Sequence, residues 1–219
     1  MGGDLDMIVA RLSAGVAGSG RALVAIDGVG GSGKTTFAET LADRVEARPV
    51  VVVHVDDFFN PSAVRHARGR ESSEGFWLDA YNYDALASWT LGPLSAGGDG
   101  SYCPGSYDHA RDSTVQPDRR MAPRDALVLV EGTFLHRDEL ARFWDFSIFL
   151  DVPFAETTRR MARRDAVDPD VERGRMRRYV GAQQMYFACA TPWERASLVV
   201  DNTDLDNPRI IDVASVTAR

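Results

Sequence analysis

Apolar runs of strand length alternate with stretches of helical periodicity along most of the chain. A leading segment places apolar residues on one helical face from Leu5 to Val16 and ends at the glycines of 18–20. Five later runs have the length and composition of buried strands: 22–26, 50–55, 126–130, 146–150 and 198–200. Strands separated by helices form mostly parallel sheets with helices on both faces. The pattern therefore predicts a three-layer α/β fold around a mostly parallel five-stranded central sheet.

The stretch 60–123 interrupts this alternation. It is polar and irregular apart from a predicted helix around Asp84–Leu94, and it is long for a connection within a compact domain. Its aromatic residues argue against disorder. They are Phe76, Trp77, Tyr81, Tyr83, Tyr102 and Tyr107. We therefore expect 60–123 to be an insertion that forms the wall of a second-substrate pocket within a single domain covering 1–219.

The first apolar run leads directly into a glycine-rich segment. Residues 28–35 read Gly-Val-Gly-Gly-Ser-Gly-Lys-Thr and fit G-x-x-x-x-G-K-[ST], and a helical pattern follows. Glycines allow successive backbone N–H groups to turn inward around anionic oxygens, and the N-terminus of the following helix adds a positive field. The segment therefore predicts a nucleotide-phosphate site. The residues expected to contact the nucleotide are Gly28, Gly30, Gly31, Ser32, Gly33, Lys34, Thr35 and Thr36.

Composition strengthens the prediction for Lys34. It is the only lysine among 25 basic residues, so the bias of this chain toward arginine did not extend to this position. A compact ammonium group can fold over phosphates as a point charge, whereas a planar guanidinium requires a different geometry. We expect Lys34 to act in catalysis. The guanine-reading N-K-x-D motif of GTPase switches needs a second lysine, so that class is excluded.

Charge and cysteine content exclude other classes. The net charge of −7 argues against nonspecific nucleic-acid binding. No stretch approaches the roughly 18 apolar residues of a membrane span, and the N-terminus carries Asp4 and Asp6, so we expect neither a membrane segment nor a secretory signal. Cys103 and Cys189 form no C-x-x-C pair, and the histidines lack metal-ligand spacing. We expect a cytoplasmic protein. A homo-oligomer is compatible with the sequence.

Two of the acidic residues that follow the predicted strands, Asp56 and Glu131, suit phosphoryl transfer. Asp56 could accept the proton of an acceptor hydroxyl. Thr35 and Glu131 could hold Mg²⁺. Alternatively, an acid at a strand end caps the next helix. The segment from 159 to 178 contains eight arginines and four acidic residues. This excess of arginine predicts either a solvated helical face or an arginine-rich lid, at about 155–190, that closes over a polyphosphate.

Six motifs follow one another from about 21 to 201. They are G-x-x-G-S-G-K-T-T, D-D-F-F, P-G-S-Y-D-H-A-R at 104–111, V-E-G at 130–132, R-R-D at 163–165 and E-R-G-R at 172–175. Their order resembles the uridine kinase branch of the phosphoribulokinase and uridine kinase group. The resemblance implies the P-loop NTPase fold of a kinase that uses ATP and Mg²⁺, with a parallel five-stranded sheet.

The resemblance also implies roles for individual residues. Asp56 would be the base for the 5′-hydroxyl of a sugar, and Arg164 would be a catalytic arginine that contacts the nucleotide. The other residues implied in acceptor binding are Phe59, Tyr107, Arg173 and Arg175.

Three departures from the family lie on the acceptor and lid side. Phe59 stands where tyrosine or histidine is usual, and His109 follows Asp108 directly rather than several residues later. Met161 occupies an arginine position. We therefore predict an ATP- and Mg²⁺-dependent phosphotransferase that acts on the 5′-hydroxyl of a pyrimidine nucleoside, uridine or cytidine. The alternatives are a kinase of another small hydroxyl compound, such as pantothenate, a sugar or glycerate, and a nucleotide-binding regulatory protein without transfer activity.

Overall fold

The computed structural model describes residues 3–166 and 174–218, with side chains at 4–166 and 176–218. The strands are β1 (Ala22–Gly28), β2 (Val50–His54), β3 (Ser101–Tyr102), β4 (Tyr107–Asp108), β5 (Ser113–Thr114), β6 (Arg120–Met121), β7 (Leu127–Gly132), β8 (Phe146–Asp151), β9 (Leu198–Asp201) and β10 (Arg209–Ile210). The helices are α1 (Gly3–Gly15), α2 (Lys34–Arg44), α3 (Ser62–Arg65), α4 (Ser73–Asp79), α5 (Tyr83–Ala85), α6 (Gly92–Leu94), α7 (Asp138–Ala141), α8 (Phe154–Asp165), α9 (Gly174–Ala190) and α10 (Pro192–Arg195).

The central sheet has the order β10-β9-β8-β1-β7-β2. Its members pair in parallel except β10, which runs antiparallel to β9. The predicted α/β fold with a mostly parallel sheet is therefore confirmed, but the predicted number of five strands is wrong, since the sheet has six. The additional strand has two residues, Arg209–Ile210, which is too short to give a recognisable hydrophobic period.

Alternate residues of β1 point to opposite faces of the sheet and divide the core into two layers. Val24 and Ile26 join the cluster that covers one face, together with apolar residues of α1 and α2. Leu23 and Ala25 join the cluster on the other face, which includes the insertion and the buried side of α9. Helices therefore cover both faces, as predicted, and all seven residues of β1 are buried.

The insertion contains α3 to α6 and two short antiparallel pairs, β3 with β6 and β4 with β5. The predicted helix near 84–94 is present as α5 and α6, joined by a π-helical turn at Leu86–Leu91. Phe76 and Tyr81 are buried in the core. Their burial explains why this polar stretch is ordered, because the aromatic rings anchor it to the sheet.

The second helix of the predicted lid, α9, packs on α4 of the insertion. Ser73 Oγ donates to the carbonyl oxygen of Arg177 at 3.2 Å. The buried guanidinium of Arg178 donates to the carbonyl oxygens of Arg65 and Arg70 and lies 5.1 Å from the ring centre of Phe76. Within 3–166 and 174–218, no helix is long and apolar enough to cross a membrane.

Candidate active site

The sheet order brings three functional segments to one edge. β7 lies between β1 and β2, so the carboxyl ends of these strands are adjacent. The glycine-rich segment 28–35, which we call the glycine loop, therefore opens into one cavity together with Glu131 and Asp56. The cavity has a volume of about 360 Å³. The cavity is lined by Gly30, Gly31, Gly33, Lys34, Thr35, Thr36, Asp56, Phe76, Tyr81, Glu131, Gly132, Thr133, Arg160, Met161, Arg164, Tyr179 and Gln183.

The backbone of the glycine loop has left-handed conformations at Gly31, with φ of 80°, and at Gly33, with φ of 88°. A Cβ atom on Gly31 would lie 2.6 Å from the carbonyl oxygen of Thr157 in α8. The loop and α8 are therefore in direct contact, with no room for a side chain between them. Ser32 is fully buried, and neither Ser32 nor Gly28 is among the described residues that line the cavity. Ser32 and Gly28 would contribute to a nucleotide site through the backbone of the glycine loop.

Lys34 folds back over the loop. Its Nζ donates to the carbonyl oxygens of Gly28, at 3.1 Å, and of Val29, at 3.0 Å. An ammonium group has three donors, so one remains for an anion in the cavity. Burial lowers the pKa of Lys34, although the carboxylates of Glu131 and Asp56 oppose this shift. The group is thus held where a phosphate bound by the loop would meet it.

Thr35 and Glu131 meet at the base of the cavity. Thr35 Oγ1 donates to Glu131 Oε1 at 3.1 Å, and His54 Nδ1 lies 2.7 Å from the same oxygen. Burial of Glu131 disfavours its charged form, but the His54 hydrogen bond and the Lys34 charge outweigh it and lower the pKa of Glu131. The hydrogen bond to Glu131 raises the pKa of His54. The sequence around His54 predicts no role for it, and the pairing of β2 with β7 places it opposite Glu131.

These oxygens suit Mg²⁺. Mg²⁺ is usually held by one or two protein oxygens together with phosphate oxygens of the substrate, rather than by a cage of side chains. The part of the chain with described coordinates contains no group of three or more His, Cys, Asp or Glu that could hold a metal. The hydroxyl of Thr35 beside the carboxylate of Glu131 is the donor set expected for this cation.

Asp56 lies in the 3₁₀ turn Val55–Phe58 that follows β2. Its carboxyl group opens into the cavity, and its Oδ1 accepts a hydrogen bond from Tyr81 Oη at 2.9 Å. Tyr81 Oη is 3.0 Å from Thr133 Oγ1. Asp56 is exposed to the cavity, but the protein around the cavity wall desolvates its carboxylate and raises its pKa, while Lys34 and Tyr81 limit the rise. In the sequence, Tyr81 is recognisable only as one of several aromatic residues of the insertion, and no motif marks Thr133.

Phe59 and Tyr107 lie behind Tyr81. The Phe59 ring stacks on Tyr81 with centres 4.7 Å apart and meets the edge of Tyr107 at 6.3 Å. The Arg65 guanidinium covers the Phe59 ring at 4.9 Å and donates to Tyr107 Oη at 3.1 Å. Neither Phe59 nor Tyr107 is among the described residues that line the cavity. Their contact with an acceptor remains a prediction.

Arg164 of α8 lines the cavity, and its Nε donates to Asp165 Oδ1 at 2.7 Å. This hydrogen bond raises the pKa of Arg164. Arg164 is therefore close to both the glycine loop and Asp56. The predictions for Arg173 and for the side chain of Arg175 fall outside the described residues.

Arg160 fastens α8 to the glycine loop and had not been singled out from the sequence. Its guanidinium donates to the carbonyl oxygens of Gly31, at 3.3 Å, and Thr203, at 2.6 Å. Met161 is buried beside the loop, where a Cβ atom on Gly30 would lie 3.0 Å from its sulfur. An apolar side chain thus packs against the glycines at the position where the family usually has arginine.

Tyr179 and Gln183 of α9 line the cavity together with Phe76. Gln183 is 3% exposed, and its Oε1 has no hydrogen-bond partner among the described residues. A buried amide oxygen without a partner is costly unless a ligand supplies a donor. Sequence analysis missed both residues, although their i,i+4 spacing places them on one helical face.

Comparison with known proteins identifies the family. A sequence profile described as "Phosphoribulokinase / Uridine kinase family" matches residues 23–194. The chain belongs to the phosphoribulokinase/uridine kinase family. The predicted resemblance is thereby confirmed, and the protein is an ATP-dependent small-molecule kinase.

Individual relatives agree with this. The chain is 29% identical over 153 residues to nicotinamide riboside kinase 1 of Homo sapiens, covering 68% of this chain and 67% of that protein. It is 28% identical over 153 residues to nicotinamide riboside kinase 1 of Rattus norvegicus, covering 68% and 69%. Among solved structures, a protein described as a possible uridine kinase from Bacillus stearothermophilus superposes with a TM-score of 0.69 at 25% identity, covering 89% of this chain and 96% of that one. The family supports a small-molecule acceptor and leaves its identity open.

Proposed function

We propose that the protein transfers the γ-phosphate of ATP to the 5′-hydroxyl of a nucleoside. The observation that carries this proposal is the position of Asp56, whose carboxyl group opens into the same cavity as Lys34 and the glycine loop. The aromatic side chains of Phe76 and Tyr179 lie on the wall of that cavity and suit the flat base of a nucleoside. A hydroxyl beside Asp56 could then face the terminal phosphate of a nucleotide on the loop.

On the donor side, the backbone N–H groups of the glycine loop and the ammonium of Lys34 bind the phosphates. Thr35 and Glu131 hold Mg²⁺, which supplies positive charge against the phosphate oxygens. Arg164 adds charge from the lid. In this proposal the insertion 60–123 forms the acceptor wall of the cavity, and the lid, at about 155–190, forms its cover. Both segments belong to one domain.

On the acceptor side, Asp56 acts as the general base. The acceptor oxygen forms a bond to the γ-phosphorus, the bond from that phosphorus to the β,γ-bridging oxygen breaks, and the hydroxyl proton passes to Asp56. The raised pKa of Asp56, caused by desolvation in the cavity wall, brings this carboxylate closer to the strength of a useful base.

Charge favours a nucleoside over the carboxylate acceptors pantothenate and glycerate. Among the described lining residues the cations are Lys34, Arg160 and Arg164. Lys34 and Arg160 are engaged by the glycine loop, and Arg164 by Asp165. An anionic acceptor would bring its carboxylate close to Asp56, where the described cations already have partners, whereas uridine and cytidine are uncharged.

Nicotinamide riboside is the second candidate acceptor. The similarity to nicotinamide riboside kinase 1 supports it. Its pyridinium ring carries a positive charge, which aromatic rings such as Phe76 and Tyr179 and the carboxylate of Asp56 would stabilise. The amide of Gln183 could pair with either a pyrimidine edge or a carboxamide.

An acceptor panel tests the proposal. Purified protein with ATP and Mg²⁺ is offered uridine, cytidine, nicotinamide riboside, pantothenate, glycerate and ribose, and the product is identified by mass spectrometry alongside ADP release. We expect the highest kcat/KM with one of the nucleosides and phosphate on its 5′-oxygen. Turnover of a carboxylate acceptor alone would overturn the nucleoside assignment, and Lys34→Ala serves as the background control.

A further inference from the structure

Asp56 lies at the end of a line of hydroxyl groups. Tyr81 Oη donates to Asp56 Oδ1 at 2.9 Å, and Thr133 Oγ1 lies 3.0 Å from the same phenol oxygen. A phenol has one hydrogen, so when Tyr81 donates it to Asp56, its oxygen is left to accept from Thr133. Tyr81 is 3% exposed and Thr133 6% exposed, so bulk water competes little for these bonds.

The phenol of Tyr81 is fixed relative to the turn that carries Asp56. The Phe59 ring stacks on Tyr81 at an interplanar angle of 13°. The backbone on either side of Tyr81 is bonded to the same turn, since Asn60 N donates to Ala80 O at 2.8 Å and Asn82 N donates to Phe58 O at 2.7 Å. Ring stacking and backbone pairing therefore leave the hydroxyl little freedom to leave the carboxylate.

Resting on the proposed role of Asp56 as the base, we propose that Tyr81 is a positioning residue for phosphoryl transfer. The Thr133–Tyr81 pair holds Oδ1 of Asp56 and leaves Oδ2 as the oxygen that meets the acceptor hydroxyl. The pair also supports the charged carboxylate against the desolvation it suffers in the cavity wall. Phe59 contributes indirectly, because it holds the phenol ring in place.

The charges and titratable groups that face Asp56 come from several elements. Lys34, on the glycine loop, and Tyr81 favour its ionised form, while Glu131 of β7 and the neighbouring Asp57 oppose it. Arg164 of α8 also interacts with it. Removing the hydroxyl of Tyr81 changes one of these influences and leaves the others in place. The expected direction is a higher pKa for Asp56, since a hydrogen bond to the charged form is lost.

The test compares Tyr81→Phe and Thr133→Val with Tyr83→Phe. The phenylalanine at 81 keeps the stacked ring. Tyr83 is half-buried, and its buried hydroxyl is affected by Arg137 rather than Asp56. Carbon-13 NMR of labelled aspartate carboxyls follows the titration of Asp56, and Asp56→Asn assigns its resonance. We expect Asp56 to titrate about one pH unit higher in Tyr81→Phe, less than that in Thr133→Val, and unchanged in Tyr83→Phe. An unmoved Asp56 resonance in Tyr81→Phe would overturn the inference, whether or not an acceptor has been found.

Kinetics separate this inference from the proposed function. With a turned-over acceptor, Tyr81→Phe should lower kcat about tenfold, leave KM for ATP within about twofold and shift the acidic limb of the pH profile upward. If Asp56→Asn retains full activity, the base assignment and the positioning role built on it both fail. If Asp56→Asn is inactive but Tyr81→Phe has the kcat and pH profile of the unaltered protein, only the positioning role fails.

Discussion

The half of the cavity proposed to hold the donor, made by the glycine loop and α8, differs in its contacts from the half proposed to hold the acceptor, made by Asp56, α4 and α9. We call these two parts the donor half and the acceptor half. On the donor side, the contacts involve the backbone of the glycine loop, as where a Cβ on Gly31 would lie 2.6 Å from the carbonyl oxygen of Thr157. On the acceptor side, side chains meet, as in the bond from Tyr81 to Asp56. Backbone contacts depend on the absence of side chains, whereas side-chain contacts can be replaced one at a time.

This difference indicates how one fold could keep its phosphate donor while its acceptor changes. The donor half tolerates few substitutions, since Gly31 and Gly33 have positive φ values and close neighbours. The acceptor half contains replaceable groups such as Tyr179 and Gln183. The effects of substitutions in the two halves should therefore differ, both in their size and in the property that they change.

The largest effect is expected from Lys34→Ala, with phosphoryl transfer reduced about a thousandfold or more. The hydrogen bonds of Nζ go to loop carbonyls, so the fold should persist, with circular dichroism and Tm close to those of the unaltered protein. Lys34→Arg is the matched control and should not restore activity, because a guanidinium lacks the shape of the ammonium. Unfolding of Lys34→Ala would mean that this residue stabilises the core.

Asp56→Asn should reduce turnover by about 10²–10⁴-fold, since an amide cannot accept the acceptor proton. ATP affinity, measured by titration calorimetry, should stay within about threefold, because the residue belongs to the other half of the cavity. Equal losses in turnover and ATP binding would instead indicate a metal-binding or structural role.

Gly31→Ala should lower stability by about 1–3 kcal/mol and weaken ATP binding, because its φ is positive and the new methyl would meet the Thr157 carbonyl. Gly69→Ala is the control for φ alone, since Gly69 has φ of 103° and no atom within 4 Å of an added Cβ. Thermal denaturation with and without ATP measures both effects. Similar losses in the two variants would contradict the tight packing of α8 on the loop.

The smallest effect is expected from Phe59→Tyr, which restores a residue usual in the family. Because Phe59 lies behind Tyr81, the acceptor KM should change less than about threefold and ATP binding should not change. A change of tenfold or more would favour the original prediction that Phe59 contacts the acceptor directly.

The donor half could be predicted from sequence because its requirements are local. The glycines, Lys34 and Thr35 are contiguous and follow a buried strand, so one short motif specifies both the conformation and the chemistry. The five apolar runs were long enough to predict the strands of the mostly parallel sheet. The last strand was missed because a pair of residues, Arg209–Ile210, has no hydrophobic period to detect.

The acceptor half could be predicted only in part because its contacts depend on register and tertiary packing. His54 meets Glu131 through the pairing of β2 with β7, and Tyr81 reaches Asp56 across 25 positions of sequence. Gln183 is recognisable only once α9 is known to pack beside α4. A polar residue in a helix such as α9 has the same sequence pattern whether its side chain faces solvent or a ligand.

Lys34 also gives the protein a chemical handle. Since it is the only lysine, amine-directed reagents have a single side-chain target, and that target lies against the glycine loop inside the cavity. Burial lowers its pKa, which raises the fraction of nucleophilic free amine at a given pH. In the proposed function a bound nucleotide would shield this amine, so the rate at which an activated ester acylates Lys34 would report donor-site occupancy without any need to know the acceptor.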